Sequence, residues 1–368
     1  MVKFPFYARL ALTLLAVVLV FYIMHLGGRI FIPMFFAFLI ATFLYPINRF
    51  FENRLRLGRA LSAFMSVVLF FTGFVIFVYF LIVQILNFTR DVPTLRKRFH
   101  EIFINFQNWL AYKFQIDAEL QSSYIDSSVT GFMQSAGTVA SNFATSVMGV
   151  VLLLVFVFLF TFFMLYHRRL LMRFVLHIFN VPHRAQVQEV IMETKSMINS
   201  YVLGLFIDVV LLSIVNYVMF LVMGVQYALL LAVLSAVLNI IPYLGIYISV
   251  VIVMAVTIIN SSLGLATQAA IGLFIVHVLD ANILMPKIVG GRVKMNPFIT
   301  IVAVITGEAV WGVPGMFLFI PLTGILKIIC SRIEGLAAWA MLMGEEDFPK
   351  KRAKQIAITE AGENRMAG

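Results

Sequence analysis

Apolar residues run through this chain in long blocks, and polar residues gather in the short stretches between them. A helix needs about 20 apolar residues to cross hydrocarbon. Blocks of that order occupy 10–28, 30–47, 60–86, 143–166 and 201–223, and only the last holds a charge, Asp208. A sixth, 263–285, is also of ordinary spanning length. Two more are anomalous. The run 227–259 has 33 residues, too many for one straight span and too few for two with a turn. Its middle reads Asn239-Ile240-Ile241-Pro242-Tyr243-Leu244-Gly245. The run 298–326 has 29 residues and is broken by Gly307-Glu308-Ala309-Val310-Trp311-Gly312-Val313-Pro314-Gly315.

Proline inside a helix removes a hydrogen bond and costs about 3 kcal/mol. In lipid the freed backbone groups need partners in protein or in a wet cavity. A pair of apolar segments interrupted by Gly and Pro therefore points to a transport site. The expected fold is all-α and integral to the membrane: about six full spans plus two broken or re-entrant helical hairpins, eight apolar segments in all.

The Lys and Arg between the blocks set the expected orientation. The loop 48–59 holds Arg49, Arg54, Arg56 and Arg59 against Glu52, and 167–200 holds Arg168, Arg169, Arg173, Arg184 and Lys195. Both are assigned to the cytoplasm, with the N-terminus. The apolar start follows Lys3 and Arg9 as a signal peptide would, but lacks a small-residue cleavage site and is read as a retained span. Residues 87–142 then fall outside, where five basic residues balance five acidic ones. The stripe Leu95, Phe99, Ile102, Phe103, Phe106, Trp109, Leu110 marks an amphipathic helical region there. If the two broken runs are hairpins, the loop 286–297 with Lys287, Arg292 and Lys294 is cytoplasmic. If they are kinked crossings, it is outside. The positive-inside rule prefers hairpins. The expected organisation is 1–86 N-terminal membrane helices, 87–142 extracytoplasmic region, 143–166 transmembrane helix, 167–200 cytoplasmic amphipathic linker, 201–330 transport core and 331–368 cytoplasmic tail.

Composition strengthens the membrane reading. Of 368 residues, 62% are apolar and 12% charged, about half the charge of an ordinary soluble domain. That excludes a soluble enzyme and a disordered chain. The net charge of +10 sits in clusters between spans, as orientation requires, and does not call for a nucleic-acid partner. Cys330, the single cysteine, has no partner for a disulfide, metal or redox motif.

Candidate chemistry is sparse and therefore informative. From Tyr201 to Pro286 there are two charges, Asp208 and Asp280, and no Lys or Arg; Glu308 is the only charge between Met295 and Leu326. An Asp near the bilayer centre costs about 2.5 to 3.5 kcal/mol on insertion scales, so each needs a partner, a proton or water. Three lone carboxylates suggest proton or cation handling, and Asp208, Asp280 and Glu308 are the candidate coupling groups. Tyr201, Gly204 and Asp208 share one helical face. His277 stands three residues before Asp280 and could bond it. Asn282 can share a site with Asp280 only if the helix loosens before Pro286. No GxxxxGK, GxGxxG or HExxH is present, so neither ATP hydrolysis nor a cofactor or metal is expected. Two membrane aspartates also admit an intramembrane aspartyl protease, but Phe206-Ile207-Asp208-Val209 and Val278-Leu279-Asp280-Ala281 lack the Gly-x-Gly-Asp context.

The first break, the run Asp280-Ala281-Asn282-Ile283-Leu284-Met285-Pro286-Lys287-Ile288-Val289-Gly290, and Val310-Trp311-Gly312-Val313-Pro314-Gly315-Met316 together resemble the autoinducer-2 exporter family of bacterial membrane proteins. The resemblance implies a multi-pass inner-membrane secondary transporter; the basic residues at both ends put both termini in the cytoplasm, and the expected mechanism is alternating access without an ATPase. Members are linked to export of the quorum signal autoinducer-2, others to sodium/proton exchange. It also implies a homo-oligomer, a ring of five. The substrate or ion pathway is then assigned to Asn239, Pro242, Gly245, Asp280, Asn282, Pro286, Glu308, Gly312 and Gly315.

Overall fold

The computed structural model describes residues 5–90, 104, 149–242, 244–284 and 295–344. Among them every regular element is helical, as lipid demands of a chain that must satisfy its own backbone. The first spans are α1 (Phe6–Leu26), α2 (Gly28–Asn53), α3 (Arg59–Arg90) and α4 (Gly149–Tyr166). A short amphipathic helix, α5 (Arg168–Ile178), leads to the long α6 (Arg184–Met223). The first broken run forms α7 (Ala228–Leu238) and α8 (Leu244–Asn260). Next comes α9 (Leu263–Leu279), which widens into one π-type turn at Asp280–Leu284. The second broken run forms α10 (Pro297–Trp311) and α11 (Val313–Arg332), followed by α12 (Ala337–Met343).

Local chemistry explains where these helices start and stop. Gly224 ends α6 with a φ of 77°, a left-handed conformation that glycine adopts without penalty. Ser262 caps α9 by accepting from Leu265 N at 3.2 Å. Asn296 caps α10 by accepting from Phe298 N at 2.9 Å, with Pro297 in the first turn, where its missing N–H costs nothing.

Among the described residues seven helices are long and apolar enough to cross a membrane: α1, α2, α3, α4, α6, α9 and α11. Six correspond to the spans expected from sequence. The seventh, α11, is the long arm of the second broken run.

Contacts between helix ends show the path of the chain. Arg332 at the end of α11 pairs with Glu189 at 2.8 Å and with Glu193, both near the start of α6. Arg168, just after α4, pairs with Glu52 near the end of α2. These arginine-rich termini define a basic end for each helix pair. α9 runs antiparallel to α6, because Gly272 meets Met219 while Asp280 lies beside Asp208. α7 and α8 fold back on each other: Val253 of α8 packs in one cluster with Val225, Ala228, Ala269 and Leu273. The first broken run thus enters and leaves at the end of α6 marked by Gly224. The second enters and leaves at the opposite, basic end. There Ile299 of α10 packs against Cys330 of α11, and Asn296 N donates to Met343 O at 3.2 Å. Both broken runs are hairpins.

The buried face of α6 is the wall shared by the two hairpins. Thr194, Met197, Ile198, Tyr201, Gly204, Asp208, Leu212, Asn216 and Phe220 recur at spacings of three and four, one face of a helix. Ile198 and Tyr201 pack on the second hairpin, and Phe220 on the first. This face extends past residue 200, so 184–200 are the opening turns of α6, and α5 is the separate amphipathic part of the segment 167–200. Of the stretch 87–142 only 87–90 and 104 are described, and of the tail only 331–344.

Candidate functional site

The first break closes on itself through tight turns. Ile241 N donates to Leu238 O at 2.9 Å, Leu244 N to Pro242 O at 2.7 Å, and Gly245 N to Ile241 O at 3.0 Å. A Cβ on Gly245 would overlap the Leu238 carbonyl, so only glycine lets α8 start this close to α7. Pro242 stands in the turn and is partly buried.

This turn carries Asn239 to the end of α9. Asn239 Nδ2 donates to Asp280 Oδ2 at 3.0 Å. Its Oδ1 lies 3.1 Å from His277 Nδ1 and accepts, which places the ring proton on Nδ1. Asp208 reaches the same cluster from α6, beside both Asp280 and Asn239. Asp208 is 3% exposed and Asp280 2%. One oxygen of each, Oδ1, is buried without a hydrogen-bond partner among the described residues.

Two buried carboxylates side by side repel, and a buried charge is costly unless paired. The stretch Tyr201 to Pro286 contains no Lys or Arg to pair them. What such a pair can do chemically is hold one proton or one small cation between its oxygens. Next to it, Asn216, Ser235, Asn239, Ser249 and His277 line a space of about 10 Å³ with Leu212, Ile246 and Leu273. That is room for about one water. Among the described residues no three His, Cys, Asp or Glu side chains converge as a metal site.

The other sequence candidates are distributed elsewhere. Asn282 is exposed and donates to Val278 O at 2.8 Å. The wide turn at Asp280 therefore does not bring it to the cluster. Asn239, from a different helix, supplies the amide beside Asp280. His277 bonds Asn239 rather than Asp280 directly. Pro286 lies outside the described residues.

The second break is built differently and sits against the first two spans. Gly312 has φ 62° and ψ −144°, disfavoured for L side chains. Gly307 and Gly315 bring α10 and α11 so close that a Cβ on either would overlap the other's carbonyl. Trp311 Nε1 donates to Met24 O at 2.8 Å, and His25 Nδ1 donates to Val310 O at 2.8 Å. Glu308 is exposed on α10, away from the Asp208–Asp280 pair. The structure thus joins Asn239, Asp208 and Asp280, with Pro242 and Gly245 shaping the turn. It places Gly312, Gly315 and Glu308 in a separate site. Asn216, Ser235 and Ser249 were not singled out from sequence; their signal is a polar side chain at a buried spacing in an apolar helix.

Residues 12–335 match the sequence profile described as AI-2E family transporter. The chain belongs to that family. YrrI of Bacillus subtilis (strain 168), provisionally named a transport protein, is 26% identical over 313 residues, covering 82% of this chain and 85% of that protein. YueF of the same organism, named in the same way, is 25% identical over 309 residues, 80% of this chain and 82% of its own. YhhT of Escherichia coli (strain K12), also provisionally a transport protein, is 32% identical over 130 residues, 35% of this chain and 37% of its own. As an AI-2E family member, this is a multi-pass membrane protein whose relatives carry provisional names as transport proteins.

Proposed function

We propose that this protein is a bacterial inner-membrane secondary transporter that exports a small polar solute by alternating access. In this reading Asp208 and Asp280 carry the coupling proton or cation. The observation that carries it is the buried carboxylate pair, bound through Asn239 to the turn of a re-entrant hairpin, in a stretch from Tyr201 to Pro286 that holds no Lys or Arg. A proton or cation arriving between the carboxylates weakens their repulsion and changes what Asn239 holds. That gives ion binding a direct handle on the hairpin. Autoinducer-2 is the named candidate solute from the family resemblance, which also supports a homo-oligomeric ring of five. The basic end is cytoplasmic in this reading, by the positive-inside rule, and the N- and C-termini lie on that side.

A second reading is cation/proton antiport without an organic solute. The small size of the polar space, about 10 Å³, favours it, since a bare cation or proton fits where a sugar-sized solute does not. One set of proteoliposome assays addresses both. Under an imposed proton or sodium gradient, the wild type accumulates labelled solute if it is a coupled exporter, and exchanges protons for sodium without solute if it is an antiporter. Asp280→Asn, which keeps size but cannot titrate, abolishes gradient-driven flux in either case. Unchanged gradient dependence in Asp280→Asn would remove the pair from the mechanism.

A further inference from the structure

At the basic end, far along α6 from the carboxylate pair, α2 and α6 frame an open groove of about 740 Å³. Three positions four apart on α2, Tyr45, Arg49 and Asn53, form one wall; Lys195 and Asn199, also four apart, form the facing wall on α6. Arg54 closes the end. Lys195 Nζ sits 3.2 Å from the centre of the Tyr45 ring, which holds the ammonium at the groove floor. Arg168 stacks over the same ring at 5.6 Å.

The charge in the groove is unbalanced. Arg168 is matched by Glu52. Among the described residues no carboxylate pairs Lys195, Arg49 or Arg54. Arg49 and Arg168 are close enough to act electrostatically on Lys195, so three cations share a small volume with one acid. Such crowding opposes folding unless an anion offsets it. Asn199 Oδ1 is buried there without a partner among the described residues.

The position selects the anion. α2 has 26 residues, about 39 Å of helix, roughly 9 Å longer than the hydrocarbon core. With the crossing centred, about 4.5 Å, nearly one turn, emerges at each end, which sets Arg49 and Arg54 at the boundary between hydrocarbon and headgroups. Pro46 and Phe50 also line the groove, and Phe50 is 55% exposed. A cationic floor beside an exposed apolar wall matches a lipid, headgroup inward and chains against Phe50. Basic pockets between membrane helices bind acidic headgroups in this way.

We infer that the groove between α2 and α6 is a binding site for an acidic phospholipid, with Arg49, Arg54 and Lys195 holding its phosphate and Phe50 its acyl chain. This inference is independent of the Asp208–Asp280 pair.

The test is native mass spectrometry of the full chain in neutral detergent, given phosphatidylglycerol and phosphatidylcholine in equal amounts. The wild type is expected to retain phosphatidylglycerol preferentially. Lys195→Gln and Arg49→Gln should each weaken that binding about fivefold, the worth of one surface cation near an acidic lipid. Lys195→Arg, which keeps the charge, should retain it. Arg173→Gln, on α5 and outside the groove, should leave it unchanged. Equal retention of the two lipids by the wild type would overturn the inference, and so would an equal loss in Arg173→Gln. Binding of inorganic phosphate to delipidated protein that displaces phosphatidylglycerol would reassign the groove to a soluble anion and refute the lipid site.

Discussion

Asn239 and Asp280 are 41 residues apart in sequence, yet the Asn239 amide donates to the Asp280 carboxylate at 3.0 Å. The bond ties the turn of the first hairpin to the point where α9 widens. Because Asn239 also accepts from His277, its amide cannot rotate without losing one partner or the other.

That constraint predicts a stability cost. Asn239→Leu leaves Asp280 Oδ2 without its amide donor and His277 Nδ1 without an acceptor. An unsatisfied buried polar group costs about 1–3 kcal/mol, so thermal unfolding in detergent should shift clearly downward. His277→Gln, which can still donate to Asn239, should shift it less. Equal midpoints for wild type and Asn239→Leu would show that the bridge contributes nothing.

The two aspartates should behave as one unit. If they share a single proton or cation, Asp208→Asn and Asp280→Asn each remove the site, and the double variant should transport no worse than either single one. Non-additivity of this kind is the mark of coupled residues. Gradient-driven flux in proteoliposomes measures it. Normal coupling in Asp208→Asn beside a dead Asp280→Asn would confine the function to Asp280.

Glycines at the breaks should differ by cause. Gly245→Ala and Gly315→Ala place a Cβ on backbone carbonyls, and overpacking of this sort costs about 1–3 kcal/mol or more. Gly312→Ala meets open space but keeps φ 62° and ψ −144°, a conformation nearly confined to glycine, at a cost of about 1–3 kcal/mol. Gly73, with no atom within 4 Å of where an added methyl would sit, should accept alanine freely and gain up to about 1 kcal/mol of helix propensity. The order of folded yields tests this series.

Sidedness can be read by thiol labelling on a Cys330→Ala background. Ser261 joins α8 to α9 at the end of α6 marked by Gly224, whereas Arg56 lies between α2 and α3 at the basic end. Ser261→Cys should react with a membrane-impermeant reagent added to intact cells. Arg56→Cys and Arg292→Cys should be protected until the membrane is permeabilised. Labelling of Arg292→Cys together with Ser261→Cys would put the loop 286–297 outside and contradict the hairpin arrangement.

The two breaks show how far the sequence could be read. Pro242 with Gly245 and Gly312 with Gly315 were visible as interruptions because nothing else explains such residues within apolar runs of 33 and 29. What each break would touch was not visible. Trp311 anchors the second on Met24, 287 residues away. Asn282 could join Asp280 only if the helix loosened before Pro286; the helix does widen there, yet Asn282 stays exposed, bonded to Val278 O.

By itself the sequence determined the eight apolar segments, the two interruptions and the scarcity of charge between Tyr201 and Pro286. These follow from one local constraint: lipid admits only helices of a set length, and it penalises every unpaired charge. Only the tertiary structure decided that Asp208 and Asp280 meet and that Asn239 bridges to them. It likewise decided that Glu308 stands apart on an exposed face and that Lys195 rests on Tyr45. Those pairings depend on the rotation and register of helices far apart in sequence. A helix apolar on every side carries little in its own pattern to specify which face meets which neighbour.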